Sequence, residues 1–118
     1  MAKFTLVPAA TFEHPVMIPQ PGAEDAELIM TFKHLTLEEL RAAEDKSQKE
    51  QEKAKEKGDL KGQFKAMADF ILLIAEGWEL EQPMDRAHLV ACFANYPRWF
   101  EAVTIAYARE LWCLRQKP

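Results

Sequence analysis

The C-terminal third of the chain constrains the fold most, because it holds all three tryptophans and most of the large aliphatic side chains. Three apolar segments, over residues 64–78, 85–94 and 98–112, lie there, and Asn95-Tyr96-Pro97 separates the last two. In the first segment, apolar residues recur at i, i+3, i+4 and i+7, the spacing of a buried helical face. The members of this face are Phe64, Met67, Ala68, Ile71, Ile74, Ala75 and Trp78. We therefore predict that these segments form a helical core.

Capping signals set the predicted ends of these helices. The first should begin near Leu60 or Gln63 and end at Gly77 in a left-handed conformation. Asp85 is a good N-cap for the second, and Asn95 can take a left-handed conformation where that helix ends. Pro97 should occupy the first position of the last helix, which runs to about residue 114.

The last helix carries more apolar residues than one buried face needs. Its inward face is predicted to comprise Phe100, Val103, Ala106, Tyr107, Leu111 and Leu114. Trp99, Ile105 and Trp112 lie beside or away from that face. Several aromatic residues off a core face would indicate a contact surface.

The first 35 residues read as a β-hairpin. Phe12 and the three residues at 14, 16 and 18 share one parity, so an extended chain places them on one face. We predict that strand 12–18 pairs antiparallel with strand 27–33 across a long loop containing Pro21-Gly22. Pro15 and Pro19 cannot donate ladder hydrogen bonds, which predicts an edge strand. A hairpin alone is marginal in water, so its apolar face should pack on the helices or a partner.

Residues 36–62 are predicted to form a capped helix that continues into a charged arm. Thr36 and Glu39 have the spacing of a capping box. Eight acids and eight bases lie between residues 36 and 65, and Ala54 is the only apolar residue from 44 to 57. We therefore predict a solvated helical arm that frays or is disordered towards Gly58. It lacks the apolar seam of a coiled coil.

Composition limits the function classes. The chain of 118 residues is predicted to form one domain, 1–118, made of a hairpin region (1–35), the capped helix and arm (36–62) and a helical core (63–118). A net charge of -4 argues against a nucleic-acid partner. No apolar run approaches the roughly 20 residues that span a bilayer, so no membrane is expected.

Catalytic and metal-binding patterns are not evident in the sequence. His14, His34 and His88 are solitary, and Ser47, the only serine, lies in the charged arm. Cys92 and Cys113 are expected to be reduced thiols facing the core, although a disulfide between two helices would be possible in an oxidising compartment. We predict no enzyme activity, no cofactor and no metal. The predicted fold is α+β: a small N-terminal antiparallel hairpin or meander on about four helices.

Several short motifs follow one another in an order that resembles a known family. The C-terminal ones are Ala75-Glu-Gly-Trp78, 80–85 (Leu-Glu-Gln-Pro-Met-Asp), Leu89, Asn95-Tyr-Pro97 and the aromatic-rich helix 99–112. The N-terminal ones are 12–19 (Phe-Glu-His-Pro-Val-Met-Ile-Pro), Pro21-Gly22 and 30–34 (Met-Thr-Phe-Lys-His). Together they cover most of the chain except the charged arm. Their order and spacing resemble the tail assembly chaperones of long-tailed bacteriophages.

This resemblance implies a non-enzymatic protein of the host cytoplasm that is absent from the finished virion. Such chaperones coat the helical tape-measure protein, keep it soluble and recruit tail-tube protein subunits. The chain looks like the short product of a gene that also yields a longer frameshift product, and a homo-oligomer is expected. The alternative is a non-enzymatic helical adaptor or regulatory interaction module unrelated to tails.

An apolar helical client would need a groove lined by flexible or aromatic side chains. The candidate client-binding residues are Trp78, Met84, Tyr96, Trp99, Phe100 and Trp112. Ordinary core packing is the alternative interpretation for each of them.

Overall fold

The computed structural model describes residues 3–114, and its fold is α+β, as predicted. A three-stranded antiparallel sheet of order β1-β2-β3 packs with four helices. In chain order the elements are β1 (Thr11–Gln20), β2 (Ala23–Lys33), α1 (Leu37–Glu56), α2 (Leu60–Ile74), β3 (Ala75–Trp78), α3 (Arg86–Asn95) and α4 (Trp99–Leu111).

The predicted hairpin is present, with longer strands and a shorter connection. β1 pairs with β2 in a register that sets Phe12 opposite Phe32. The expected long loop is instead a two-residue turn, with Pro21 at its first position and Gly22 at φ +69°. A positive φ there is what a Pro-Gly turn of type II requires. The inner face of the hairpin buries Val16, Ile18, Leu28, Met30 and Phe32.

β1 is an edge strand, and Pro15 lies on its free side. The N–H of His34 donates to the carbonyl of Ala10 at 2.9 Å, which identifies that pair as hydrogen-bonded. Hydrogen-bonded pairs alternate along an antiparallel ladder, so the nitrogen of Pro15 points away from β2. Pro19 lies at the register shift between Ile18 and Gln20. The outer edge of β1 therefore has fewer donors for another strand.

The third strand, β3, was not predicted, and the prediction for Gly77 was wrong. α2 ends at Ile74, and the chain passes directly into Ala75–Trp78, which pairs antiparallel with β2. Gly77 lies opposite Thr31 in this ladder, and its φ is not positive. Returning to the sheet lets the chain bury Ala75 on the core and satisfies backbone groups of β2.

The predicted solvated helical arm is present, but it does not fray before Glu56, because α1 is one continuous helix of 20 residues. Its N-terminus has the predicted capping box of Thr36 and Glu39. Its buried residues are Leu40, Ala43, Ser47 and Ala54. These follow a helical spacing, so the inward stripe continues past Ala43 in small side chains that let α1 pack closely along α2.

Two glycines make the α1–α2 corner possible. Gly58 has φ +66°, and the N–H of Asp59 donates to the carbonyl of Ala54, as in a Schellman motif. Asp59 then caps α2 by accepting from the N–H of Gly62 at 2.9 Å. A Cβ on Gly62 would collide with the Asp59 carboxylate and lie 3.1 Å from the Cβ of Ala54. Gly62 therefore permits both the cap and the close approach of the two helices.

The corner between α3 and α4 is a short turn, as predicted, but differs in detail. Asp85 caps α3 as expected, accepting from the N–H of His88 at 2.9 Å. Asn95 is the last residue of α3 and is not left-handed. Pro97 lies in the turn before α4, which begins at Trp99. The N–H of Trp99 bonds to the carbonyl of Tyr96 at 2.9 Å and closes this turn.

The core lies between the sheet, α2 and α4. The hydroxyl of Tyr107 on α4 donates to the backbone carbonyl of Lys33 at 2.9 Å, which fixes the helix to the end of β2. The ring of Tyr107 lies 5.1 Å from that of Phe32 and stacks on that of Phe12 at 6.1 Å. These contacts join residues far apart in sequence into one core.

Candidate interaction surface

The structure divides the six predicted client-binding residues into two groups. Trp78, Tyr96, Trp99 and Phe100 lie around the α3–α4 corner, Met84 precedes α3, and Trp112 lies at the far end of α4. The rings of Trp78 and Trp99 meet edge to face at 6.2 Å, and Trp99 meets Phe93 at 5.6 Å. Phe93 in turn meets Phe100 at 5.7 Å. These residues form one aromatic cluster.

Most of this aromatic cluster faces inward. Trp99, which the helical pattern sets off the core face, is only 3% exposed. The indole N–H of Trp78 donates to the carbonyl of Gln82 at 2.6 Å, which fixes the ring to the loop before α3. Met84, Tyr96 and Phe100 are partly buried against the core, so the surface that these five residues leave free is limited.

Trp112 belongs to a different, open surface. Its side chain is 52% exposed. It lies at a cavity of about 240 Å³ between the start of α1 and the end of α4, which we call the α1/α4 notch. The notch is lined by His34, Leu35, Thr36, Leu37, Leu40, Leu111 and Trp112. Its lining is mainly apolar, and Leu37 is also exposed.

Hydrogen bonds between residues close in sequence fix the backbone on both sides of the notch. The hydroxyl of Thr36 accepts from the N–H of Glu39 at 3.2 Å, and the Glu39 carboxylate accepts from the N–H of Thr36 at 3.0 Å. The bond from the Thr36 N–H is the main reason that the pKa of Glu39 is lowered below its ordinary value, because it favours the ionised carboxylate. The opposite wall ends at Cys113, which has φ +55° and closes α4 in a Schellman motif. Both walls are therefore preorganised.

A second and larger concavity lies on the other side of α4, against β1. This β1/α4 groove has a volume of about 660 Å³. Its apolar lining includes Pro15, Met17, Pro19, Ala102, Ile105, Ala106 and Leu114. Met17, Ile105 and Leu114 are exposed there. The prediction that Leu114 faces the core was wrong, because α4 ends at Leu111. The groove is also lined by polar side chains: Arg98 forms an ion pair with Glu101 at 3.1 Å, and Nδ1 of His14 lies 3.7 Å from the Glu110 carboxylate.

Sequence patterns flagged only part of these two surfaces. Ile105 and Trp112 stood off the predicted core face of the last helix, and both are exposed. Met17 was not singled out as a surface residue, and the expectation that Leu37 faces inward with Leu40 and Ala43 was wrong, because Leu37 is exposed. The available signals were the parity of Met17, opposite to that of the buried β1 residues, and the position of Leu37 directly after a cap. Neither signal distinguishes a binding surface from an isolated exposed residue.

One contact between a histidine and a carboxylate lies at the start of α3. Nδ1 of His88 lies 2.8 Å from Oδ1 of Asp85, and the pKa of Asp85 is lowered mainly by the bond from the His88 N–H. This pair is exposed and caps α3. No group of three or more His, Cys, Asp or Glu side chains within residues 3–114 could hold a metal ion.

Both cysteines are free thiols. Burial raises the pKa of Cys92, in agreement with the predicted inward position. The same prediction was wrong for Cys113, which is exposed in the turn after α4. Between residues 3 and 114, no helix is long and apolar enough to cross a membrane.

Comparisons with known proteins give one match. A family model described as "Phage tail assembly chaperone" matches residues 1–118, the whole chain. No curated protein and no solved structure matches the chain.

Proposed function

Because the chain belongs to the phage tail assembly chaperone family, we propose that it binds the tape-measure protein, keeps it soluble and recruits tail-tube subunits. This role is played by binding and not by catalysis. The protein acts in the host cytoplasm and leaves before the virion is complete. The family membership gives no support to the alternative of an adaptor unrelated to tails.

The observation that carries the residue-level proposal is the exposed Trp112 in the apolar α1/α4 notch. Tryptophan is enriched among the residues that dominate binding energy, and such residues cluster in apolar pockets. Trp112 and Leu37 offer a site for apolar side chains of a client helix, the helix-in-groove mode of recognition. The preorganised walls reduce the entropy that binding costs.

The free edge of β1 is a poor site for an extended client, which favours the notch over this edge as the client site. Strand addition needs a row of free backbone donors and acceptors. Pro15 removes one such donor from the outer edge.

The charged outer face of α1 supports the solubilising part of the role. The helix buries only four of its 20 residues. Most of the others are acidic or basic and remain exposed. Next to a bound apolar client, this face would present charge to water and oppose aggregation.

The aromatic cluster, together with Met84 and Tyr96, is the second part of the proposed client surface. Trp78, Met84, Tyr96 and Phe100 are only partly buried, so their outer edges can contact a client that extends beyond the notch. Trp99 supports them from within. Recruitment of tube subunits and pairing with a longer frameshift product complete the proposal, without assigned residues.

The test is co-expression of the chain with its cognate tape-measure protein. We expect the tape-measure protein to stay soluble and to co-purify with the chain. Trp112→Ala should weaken its binding about 30-fold or more, the usual effect of truncating a central tryptophan. Leu37→Ala should weaken binding less.

Leu60→Ala is the matched control, because Leu60 is equally exposed but lies on α2 away from the notch. It should leave binding unchanged. Circular dichroism of each variant would show that the fold is retained. A tape-measure protein that neither binds nor gains solubility would overturn the function, whereas normal binding by Trp112→Ala would overturn the notch alone.

A further inference from the structure

The N-terminal segment, residues 3–10, carries the most exposed large apolar side chains of the described residues. Phe4, Leu6 and Val7 are 92%, 90% and 79% exposed. The segment joins the fold at Ala10, whose carbonyl accepts from the N–H of His34 beside the first pair of the β1–β2 ladder. Three neighbouring apolar side chains so open to water are unusual on a chain that has otherwise buried a core.

The β1/α4 groove offers apolar surface that could cover these side chains. Its volume of about 660 Å³ is larger than that of the α1/α4 notch, and Met17, Ile105 and Leu114 contribute exposed apolar surface to it, although charged side chains such as Arg98, Glu101 and Arg109 also line it. The proposed client contacts, at Trp112 and Leu37 in the α1/α4 notch, lie outside this groove. The groove is therefore free for another occupant.

We propose that the N-terminal segment of one copy lies in the β1/α4 groove of a second copy, and that the exchange is reciprocal. Each copy then gives its segment to the other and receives the other's segment in its own groove. This reciprocity closes the assembly as a two-fold dimer. The partner in this interaction is a second copy of this chain.

The buried area is sufficient for a specific dimer. One phenylalanine buries about 150–250 Å², and with Leu6 and Val7 each segment would lose on the order of 400 Å² of accessible surface. The groove would lose a similar area. Two such exchanges come to roughly 1,600 Å², the size of a standard specific interface.

The chain path favours a groove on another copy. The segment leads into β1 at Thr11, while the groove borders the same strand further on, from His14 to Pro19. To reach its own groove, the segment would have to reverse and run back along the free edge of β1. Pro15 weakens hydrogen bonding along that edge. A segment that arrives from a second copy needs no reversal.

Mass measurement tests the exchange. The full chain, studied by sedimentation or light scattering at micromolar concentration, should give twice the monomer mass of 13.6 kDa. Phe4→Ala combined with Leu6→Ala, and separately Ile105→Glu, should raise the dissociation constant at least tenfold. All three positions are exposed, so the fold should be retained. Leu60→Glu, an exposed change outside both surfaces, should leave the dimer intact.

Crosslinking then identifies the contact. In a Cys92→Ala, Cys113→Gly background, one preparation carries Phe4→Cys and a second carries Ile105→Cys. Mixing and oxidising them should give a crosslinked heterodimer, whereas mixing Phe4→Cys with Leu60→Cys should not.

Three results would overturn the proposal: a monomeric wild type, a dimer that survives the Phe4 and Leu6 changes, or an intrachain crosslink in the Phe4→Cys, Ile105→Cys double variant. None of these assays contains the tape-measure protein. A failure of the dimer proposal therefore leaves the proposed function unaffected. A failure to bind the tape-measure protein likewise leaves the dimer proposal unaffected.

Discussion

Replacing Tyr107 with phenylalanine removes a single hydroxyl from the centre of the fold. That hydroxyl donates to the carbonyl of Lys33 at 2.9 Å, and the residue is almost fully buried. The substitution keeps the ring contacts with Phe12 and Phe32. It therefore isolates the hydrogen bond that joins α4 to the end of β2.

The expected loss at pH 7 is about 1–2 kcal/mol of the free energy of unfolding. A typical intramolecular hydrogen bond contributes about 1 kcal/mol, and an unsatisfied buried carbonyl adds a desolvation cost. Urea denaturation followed by circular dichroism would measure the difference between wild type and Tyr107→Phe.

The pH dependence gives a sharper signature. Burial raises the pKa of Tyr107 to about 12, from an ordinary value of 10. The unfolded tyrosine thus loses its proton near pH 10, while the folded protein retains it. The stability that the neutral Tyr107 contributes should be fully present below pH 10 and should be lost as the pH rises towards 12. At about 1.4 kcal/mol per pKa unit, the total loss from this group approaches roughly 2–3 kcal/mol.

Tyr107→Phe has no such group, and the other titrations cancel in the difference between the two proteins. The advantage of the wild type should therefore shrink above pH 10, and the two stabilities should converge near pH 11. A difference that stays constant from pH 7 to 11 would refute a buried, neutral hydroxyl at Tyr107. So would a variant as stable as the wild type at neutral pH.

Other elements of the fold give further predictions. Gly58→Ala should lower the free energy of unfolding by about 1 kcal/mol, and Cys113→Gly should raise it by up to about 1 kcal/mol. Both residues are left-handed helix ends, where a Cβ is strained. Chemical denaturation measures both changes, and two changes in stability of the same sign would contradict the reasoning. The lowered pKa of Asp85 means that its cap on α3 is intact above its ordinary pKa of 3.8 and weakens as pH falls through the lower folded value. Asp85→Asn should make the melting temperature less sensitive to acid between pH 5 and 2, and an unchanged acid response would count against the cap.

The parts of the fold that sequence predicted are those set by local chemistry. The period-two pattern of the hairpin, the Thr36 and Asp85 caps and the start of α2 all depend on residues within a few positions of one another. β3 depends on a pairing with β2 that is distant in sequence. Ala75 and Trp78 even continue the helical spacing of α2, so the pattern predicted a longer helix.

The other incorrect predictions concern small residues in helix contacts and one residue that is covered by two different elements. Ser47 and Gly62 carry no hydrophobic signal, yet both lie where α1 approaches α2. Trp99 stands off the stripe of α4, but Trp78 and Phe93 cover it from a second side. The hydrophobic periodicity of a single helix identifies one buried face, so it cannot identify a residue that other elements cover from a second side.

The proline on the free edge of β1 also has a consequence for the size of any assembly. When molecules join by extending a sheet, every addition exposes a new edge equivalent to the last, so growth has no natural end and yields fibres. An edge interrupted by Pro15 is a poor template for that kind of polymerisation. Association of this protein is thereby directed to side-chain surfaces, and such contacts stop at a fixed number of copies when their symmetry closes, as in a reciprocal exchange.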